Sequence, residues 1–214
     1  VKPYQQTGGP LLYFGGTSDG SRDVCARHCD VFLTWPEKEE SLYATVQDMT
    51  ARAAAYGRKI DFGLRIHVVV RETEAEARAY AQKLISKLDE KRADEIRSRG
   101  EDSRSLGVLR QDQLRKEADD EGYVEHLLWT DIGKVFSGCG GGLVGSPEQI
   151  IAKLNRYMDM GFRAFIFSGF PLQQEAEYFS RLVLPHLPNV SLSELQGRIP
   201  SGIPVTPYTT AVLK

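Results

Sequence analysis

Three observations in the 214-residue chain predict an α/β fold that is one half of a (β/α)8 TIM barrel. Short apolar runs alternate with helical patterns, which implies parallel strands joined by right-handed crossovers. Most of these runs are apolar throughout, as in strands covered on both faces. The run FGLRIHVVV (62–70) differs, because period-two geometry sends Phe62, Leu64, Ile66 and Val68 to one face and Gly63, Arg65, His67 and Val69 to the other. In a barrel the first set faces the helices and the second faces the lumen. A whole barrel takes eight strands and about 250 residues. The chain has apolar runs for about half of that. A self-contained, doubly wound open sheet is the alternative.

The elements follow in order. LLYF (11–14) reads as a strand that stops at Gly15-Gly16, and a helix-like segment leads to the second strand, DVFLTW (30–35). Leu42, Val46, Met49 and Ala53 then repeat at helical spacing. After FGLRIHVVV, Thr73 to Glu76 form a capping box, and Ala77, Tyr80, Ala81, Leu84 and Leu88 mark a buried stripe. Ser146-Pro147-Glu148-Gln149 starts another helix, with Ile150, Ile151, Leu154, Tyr157 and Met158 on its apolar face. RAFIFSGF (163–170) is the last strand, and Ala176, Phe179, Leu182 and Val183 mark the last helix. Residues 89–133 carry dense charge of both signs and read as solvated helices in an insertion, with a mobile lid as the alternative. Residues 1–188 then form the half-barrel, and 189–214, with prolines and little periodicity, an extended tail.

Composition narrows the function. The net charge of −2 gives no electrostatic case for nucleic acid or an anionic membrane. No apolar run approaches the length of a membrane span, and no signal-peptide pattern opens the chain. Three cysteines suggest a reducing compartment, hence a cytoplasmic location, and not a disulfide framework.

Several motifs carry chemistry. In GGTSDGS, a strand-to-helix turn exposes backbone N–H groups that attract phosphate, with the Thr17 and Ser18 hydroxyls adding to them; equally, Ser18 serves as a plain N-cap. Arg65 offers a guanidinium fork for an anionic oxygen group, and His67 titrates near neutrality; a lumenal ion pair is the competing reading. Gly138 to Gly145 contains a formal G-x-G-x-x-G but no clear preceding strand, which favours a hinge or flexible loop over a dinucleotide site. Cys25, His28 and Cys29 read as a packed helix face, so no metal site is expected.

Taken together, LLYFGGTSD, HCDVFLTW, FGLRIHVVVRETEAEA, LLWTDIGKVFSGCGGGLVGSPEQI and the Ser168-Gly169-Phe170-Pro171 turn resemble the C-terminal half of the alkanesulfonate monooxygenases. These are bacterial luciferase-like flavin monooxygenases, and the likeness runs in order over about residues 10–188. The resemblance implies an interrupted (β/α)8 barrel and a reaction using reduced FMN (FMNH2) and O2. A separate NAD(P)H-dependent flavin reductase delivers the FMNH2, and an alkanesulfonate becomes an aldehyde and sulfite. It assigns Gly16, Thr17 and Ser18 to the FMN phosphate, and Arg65 and His67 to the family's Arg-x-His catalytic pair. It places Lys134, Gly138, Gly140, Gly141, Gly142 and Phe170 at the substrate and its closing loop.

Two positions depart from the pattern. Phe136 stands where the loop arginine is expected, with Lys134 the nearest cation, and Phe170 replaces a tyrosine. A neutral organosulfur or other small substrate is therefore an alternative, as is a non-catalytic half-barrel that binds or assembles. The other half of the barrel would come from a missing N-terminal half or from a second copy in a homo-oligomer.

Overall fold

A computed structural model describes residues 10–89, 91, 105–135 and 139–190. The lead-in before Pro10, most of the charge-dense stretch, Phe136, Gly138 and the tail beyond Val190 lie outside the described residues.

The chain forms β1 (Tyr13–Phe14), α1 (Asp19–His28), β2 (Val31–Thr34), α2 (Glu39–Ala55), β3 (Asp61–Val70) and α3 (Glu74–Ile85). There follow α4 (Leu106–Lys116), β4 (Tyr123–Glu125), β5 (Leu128–Trp129), a 3-10 turn (Asp131–Lys134) and β6 (Gly142–Gly145). The chain continues with α5 (Pro147–Asp159), β7 (Phe162–Ser168) and α6 (Leu172–Leu182). Local signals start the helices where the sequence places them. Ser18 Oγ accepts from the Ser21 amide to cap α1, and reciprocal capping boxes open α3 (Thr73, Glu76) and α5 (Ser146, Gln149).

The curled sheet is half a barrel. β1, β2 and β3 pair in parallel, and β3 is the hub. Residues 62–64 of β3 pair with both β2 and β7, so those two strands take opposite edges. Beyond the end of β2, β6 takes over its edge of β3, pairing at His67 to Val70. Phe62, Leu64, Ile66 and Val68 enter the main core with Cys25, Met49, Leu154 and Tyr157 from the helices. Gly63, Arg65 and His67 face the other way, into the open half-lumen. The floor of that lumen is filled, since a Cβ on Gly63 would lie 3.0 Å from Leu33 Cδ1 and 3.2 Å from Val31 Cγ1.

Some expectations need correction. Among the described residues the sheet has seven strands, three more than the apolar runs indicated. β4 and β5 are two or three residues long and antiparallel, and β6 reads GLVG, so none carries a periodic signal. Solvated helices were expected up to residue 133, but Leu114, Tyr123, Leu127, Leu128, Trp129 and Ile132 are buried. Leu88 falls past the end of α3. On α6, Ala176 is exposed and Glu175 is buried, for a reason that lies in β3.

Candidate active site

Chemistry in barrel folds gathers where strands end in loops; one feature lies there and a second lies within β3. The first is the turn after β1. Gly16 packs against the start of α1 so closely that a Cβ would lie 2.6 Å from Ser21 Cβ. Only a glycine brings the backbone in that far. Gly16 and Thr17 line a cavity of about 200 Å3 together with Thr34, Trp35, Arg110 and Gln111. Arg110 is held there by Glu37 at 2.9 Å and Ser41 at 3.4 Å. Ser18 is not part of that lining, because its oxygen is engaged with the amide and hydroxyl of Ser21. The lining offers the Thr17 and Thr34 hydroxyls and the Arg110 guanidinium to an anion, and also holds the Glu37 carboxylate that pairs with Arg110. A second cavity of about 550 Å3 shares Thr17, Glu37 and Arg110 with the first.

The second feature is the lumenal face of β3. Arg65 is exposed, and no carboxylate among the described residues pairs with it. His67 is 6% exposed, with both ring nitrogens engaged: Nδ1 lies 2.8 Å from Ser168 Oγ and Nε2 lies 3.1 Å from the Cys139 carbonyl oxygen. Burial lowers the His67 pKa; the Cys139 and Ser168 carbonyls oppose that shift and the Arg65 guanidinium adds to it. The imidazole is therefore neutral near pH 7. Phe170 sets its ring 5.6 Å from that of His67, and its carbonyl accepts from Tyr80 Oη at 3.2 Å.

The glycine run is buried and wedged. A Cβ on Gly140 would lie 2.9 Å from Gln111 Oε1, one on Gly141 2.9 Å from Pro36 Cγ, and one on Gly142 3.1 Å from His67 Cβ. The Cys139 thiol donates to the Arg65 carbonyl at 3.0 Å, and burial pushes its pKa up to about 11. In this conformation Gly140 to Gly142 are close-approach residues that fasten the segment behind His67. Lys134 pairs with Asp131 at 2.8 Å. Gly138 lies outside the described residues.

Sequence reasoning named Ser168 in a motif and Tyr80 in a buried stripe without a role at the site, and it gave no role to Arg71 or Glu175. The pairings of Ser168 with His67 and of Arg71 with Glu175 cross about 100 residues of chain and left no local signal.

The luciferase-like monooxygenase family pattern matches residues 1–164. Over 207 residues the chain is 52% identical to sulfoquinovose monooxygenase of Agrobacterium fabrum, covering 97% of this chain and 54% of that protein. Over 178 residues it is 52% identical to sulfoquinovose monooxygenase of Novosphingobium aromaticivorans, covering 83% and 49%. Its fold resembles that of EDTA monooxygenase from Chelativorans sp. BNC1, with TM-score 0.56 and 16% identity over 91% of this chain and 48% of that one. The chain spans about half the length of the curated relatives it matches. It belongs to the luciferase-like monooxygenase family.

Proposed function

We propose that the chain forms half of an FMNH2-dependent monooxygenase that releases sulfite from an organosulfonate. The supporting observation is Arg65, an exposed guanidinium on a lumenal face with no carboxylate partner among the described residues. A sulfonate presents three acceptor oxygens and one negative charge, and charge-assisted hydrogen bonds to it are worth about 1.5–3 kcal/mol each. Gly16 and Thr17, with Arg110 near them, would hold the FMN phosphate. Reduced FMN, when bound, supplies the two electrons that let O2 give one atom to the sulfonate-bearing carbon and the other to water. The residues of this chain bind the anion, fix the His67 tautomer and move protons. Water is kept out only when the other half of the barrel covers the face, and FMNH2 comes from a separate NAD(P)H-dependent reductase. Buried, reduced cysteines and the absence of a membrane-crossing helix among the described residues support a cytoplasmic enzyme.

The names of the relatives point to a sulfonated sugar, and the motif resemblance to an alkanesulfonate. Identity of 52% over nearly the whole chain favours the sugar. The apolar Phe170 ring beside His67 is the one feature favouring a neutral organosulfur substrate instead. The test joins this chain to the remaining half of the Agrobacterium fabrum relative and measures aerobic sulfite release with FMNH2. Faster release from sulfoquinovose than from octanesulfonate is expected. Sulfite from neither, with a sulfone consumed, would replace the sulfonate reading by the neutral one. A protein that consumes none of them and binds no FMN would be a non-catalytic half-barrel.

A further inference from the structure

β7 runs beside β3 in a register that sets Ser168 opposite His67, so both side chains leave the sheet on the face that carries Arg65. His67 Nε2 lies 3.1 Å from the Cys139 carbonyl, which can only accept; the Ser168 carbonyl also acts on the ring, and the direct Cys139 contact favours the tautomer with hydrogen on Nε2 and an accepting Nδ1. Ser168 must then donate across the 2.8 Å to Nδ1. The carbonyl that sets this tautomer is itself fixed, because the Cys139 thiol is tied to the Arg65 carbonyl and Gly140 and Gly141 are wedged against Gln111 and Pro36. The imidazole is buried, whereas Ser168 is only partly so. At this position the group that meets the open face is the hydroxyl, with the imidazole behind it.

We propose that Ser168 is a catalytic hydroxyl that passes protons between the bound substrate and His67, and that His67 is the positioning residue that holds the serine rotamer and stores the proton. The proposal rests on the desulfonation reading. Once oxygen has been added, the reacting carbon carries both a hydroxyl and a sulfonate. Its collapse breaks the C–S bond, whose electron pair leaves with sulfite, while the hydroxyl loses its proton and becomes a carbonyl. That proton goes to Ser168 Oγ as the serine's own proton moves to His67 Nδ1. The products are a carbonyl compound, sulfite and an imidazolium whose Nε2–H stays on the Cys139 carbonyl. Release of the Nδ1 proton to solvent resets the pair.

Two measurements test this. Long-range 1H–15N spectra of the 214-residue chain should show His67 protonated at Nε2 and bare at Nδ1, with the Nδ1 resonance moving in Ser168→Ala and the Nε2 resonance staying in place. In the barrel completed with the Agrobacterium half, Ser168→Ala should lower kcat about 100-fold, the scale of general acid–base catalysis, with KM changed less than about three-fold. Ser168→Thr, which keeps the hydroxyl, should recover most of the rate. A wild-type protein that releases no sulfite overturns the desulfonation reading and the proton role with it. A sulfite-releasing wild type whose Ser168→Ala variant stays within about two-fold in kcat, or a His67 protonated at Nδ1, overturns the proton role alone.

Discussion

The guanidinium of Arg71 forks onto the carboxylate of Glu175 at 2.7 and 3.1 Å, and the two side chains are 10% and 4% exposed. The rings of Tyr80 and Tyr178 flank the guanidinium, 3.8 and 4.4 Å from ring centre to Arg71 Cζ. Arg71 directly follows β3 and Glu175 lies in the first turn of α6, so the pair ties the hub strand to the helix that follows the Ser168–Pro171 turn. Its consequence for the site is indirect but firm: the turn that carries Ser168 and Phe170 is held at both ends.

Glu175→Gln leaves a buried guanidinium facing a neutral amide. Removing one member of a buried pair costs about 3–5 kcal/mol, so urea unfolding should show a loss of that order. Glu121→Gln, at the more exposed contact with Arg78, should cost less than about 1 kcal/mol in the same measurement. Equal losses for the two variants would refute the anchoring role.

Gly169→Ala should disturb the same turn from within. Its Cβ would lie 2.5 Å from Glu175 Cβ and 3.0 Å from the Val68 carbonyl oxygen. Neither is the free end of a flexible chain, so overpacking of about 1–3 kcal/mol follows. The His67 Nδ1 resonance should shift as well, because Ser168 moves with its neighbour; an unchanged spectrum would show the turn to be more compliant than its packing implies.

Lys153 is a second buried charge, 2.6 Å from Glu39 and 2.5 Å from Glu125, where it joins α5, the start of α2 and β4. Burial alone would raise the Glu39 pKa, but hydrogen bonds from Lys153 and Arg156 outweigh it and hold the carboxyl below its usual range. Lys153→Met should cost about 3 kcal/mol or more, since Glu125 then loses its cation and faces Glu39, which keeps only Arg156. Calorimetry of the variant is the check.

Stability should depend on pH in two separate windows. The folded-state pKa of His67 is depressed, so between that value and the ordinary one of about 6.5 the unfolded chain binds a proton that the folded one does not. Its contribution is complete above about 6.5 and is lost as pH falls through the folded value. Glu39, Glu74, Asp48 and Asp112 are also depressed, and their contributions persist to lower pH, falling only below the ordinary carboxylate range. Denaturation curves from pH 7 to pH 5 should therefore show a loss that His67→Gln abolishes. Among the described residues, Arg65, Cys139, Ser168 and Phe170 lie beside His67.

What was legible in the sequence was local. The Leu42, Val46, Met49, Ala53 stripe is buried as its spacing requires, and both capping boxes close. The alternation in FGLRIHVVV placed Arg65 and His67 on the lumenal face before any coordinates did. What escaped depended on pairs far apart in the chain. Glu175 reads as a solvated charge until Arg71, 104 residues earlier, is brought beside it, and the apolar Ala176 then turns outward. β6 has two glycines in four residues, which mask its strand propensity, and Gly142 lets it pass close to His67. Ser168 stood in a quoted motif, but the β3–β7 register that joins it to His67 is not encoded in either strand alone.

The central claim is that the Arg65 guanidinium on the lumenal face receives the sulfonate. The direct test is steady-state sulfite release by the completed barrel with Arg65→Ala, alongside FMN binding by the same protein. Loss of a charge-assisted contact worth about 1.5–3 kcal/mol should raise KM for the sulfonate by roughly 10- to 150-fold while FMN affinity, which the proposal sets at Gly16 and Thr17, stays put. An unchanged KM, or an FMN affinity that falls in step with it, would contradict the account.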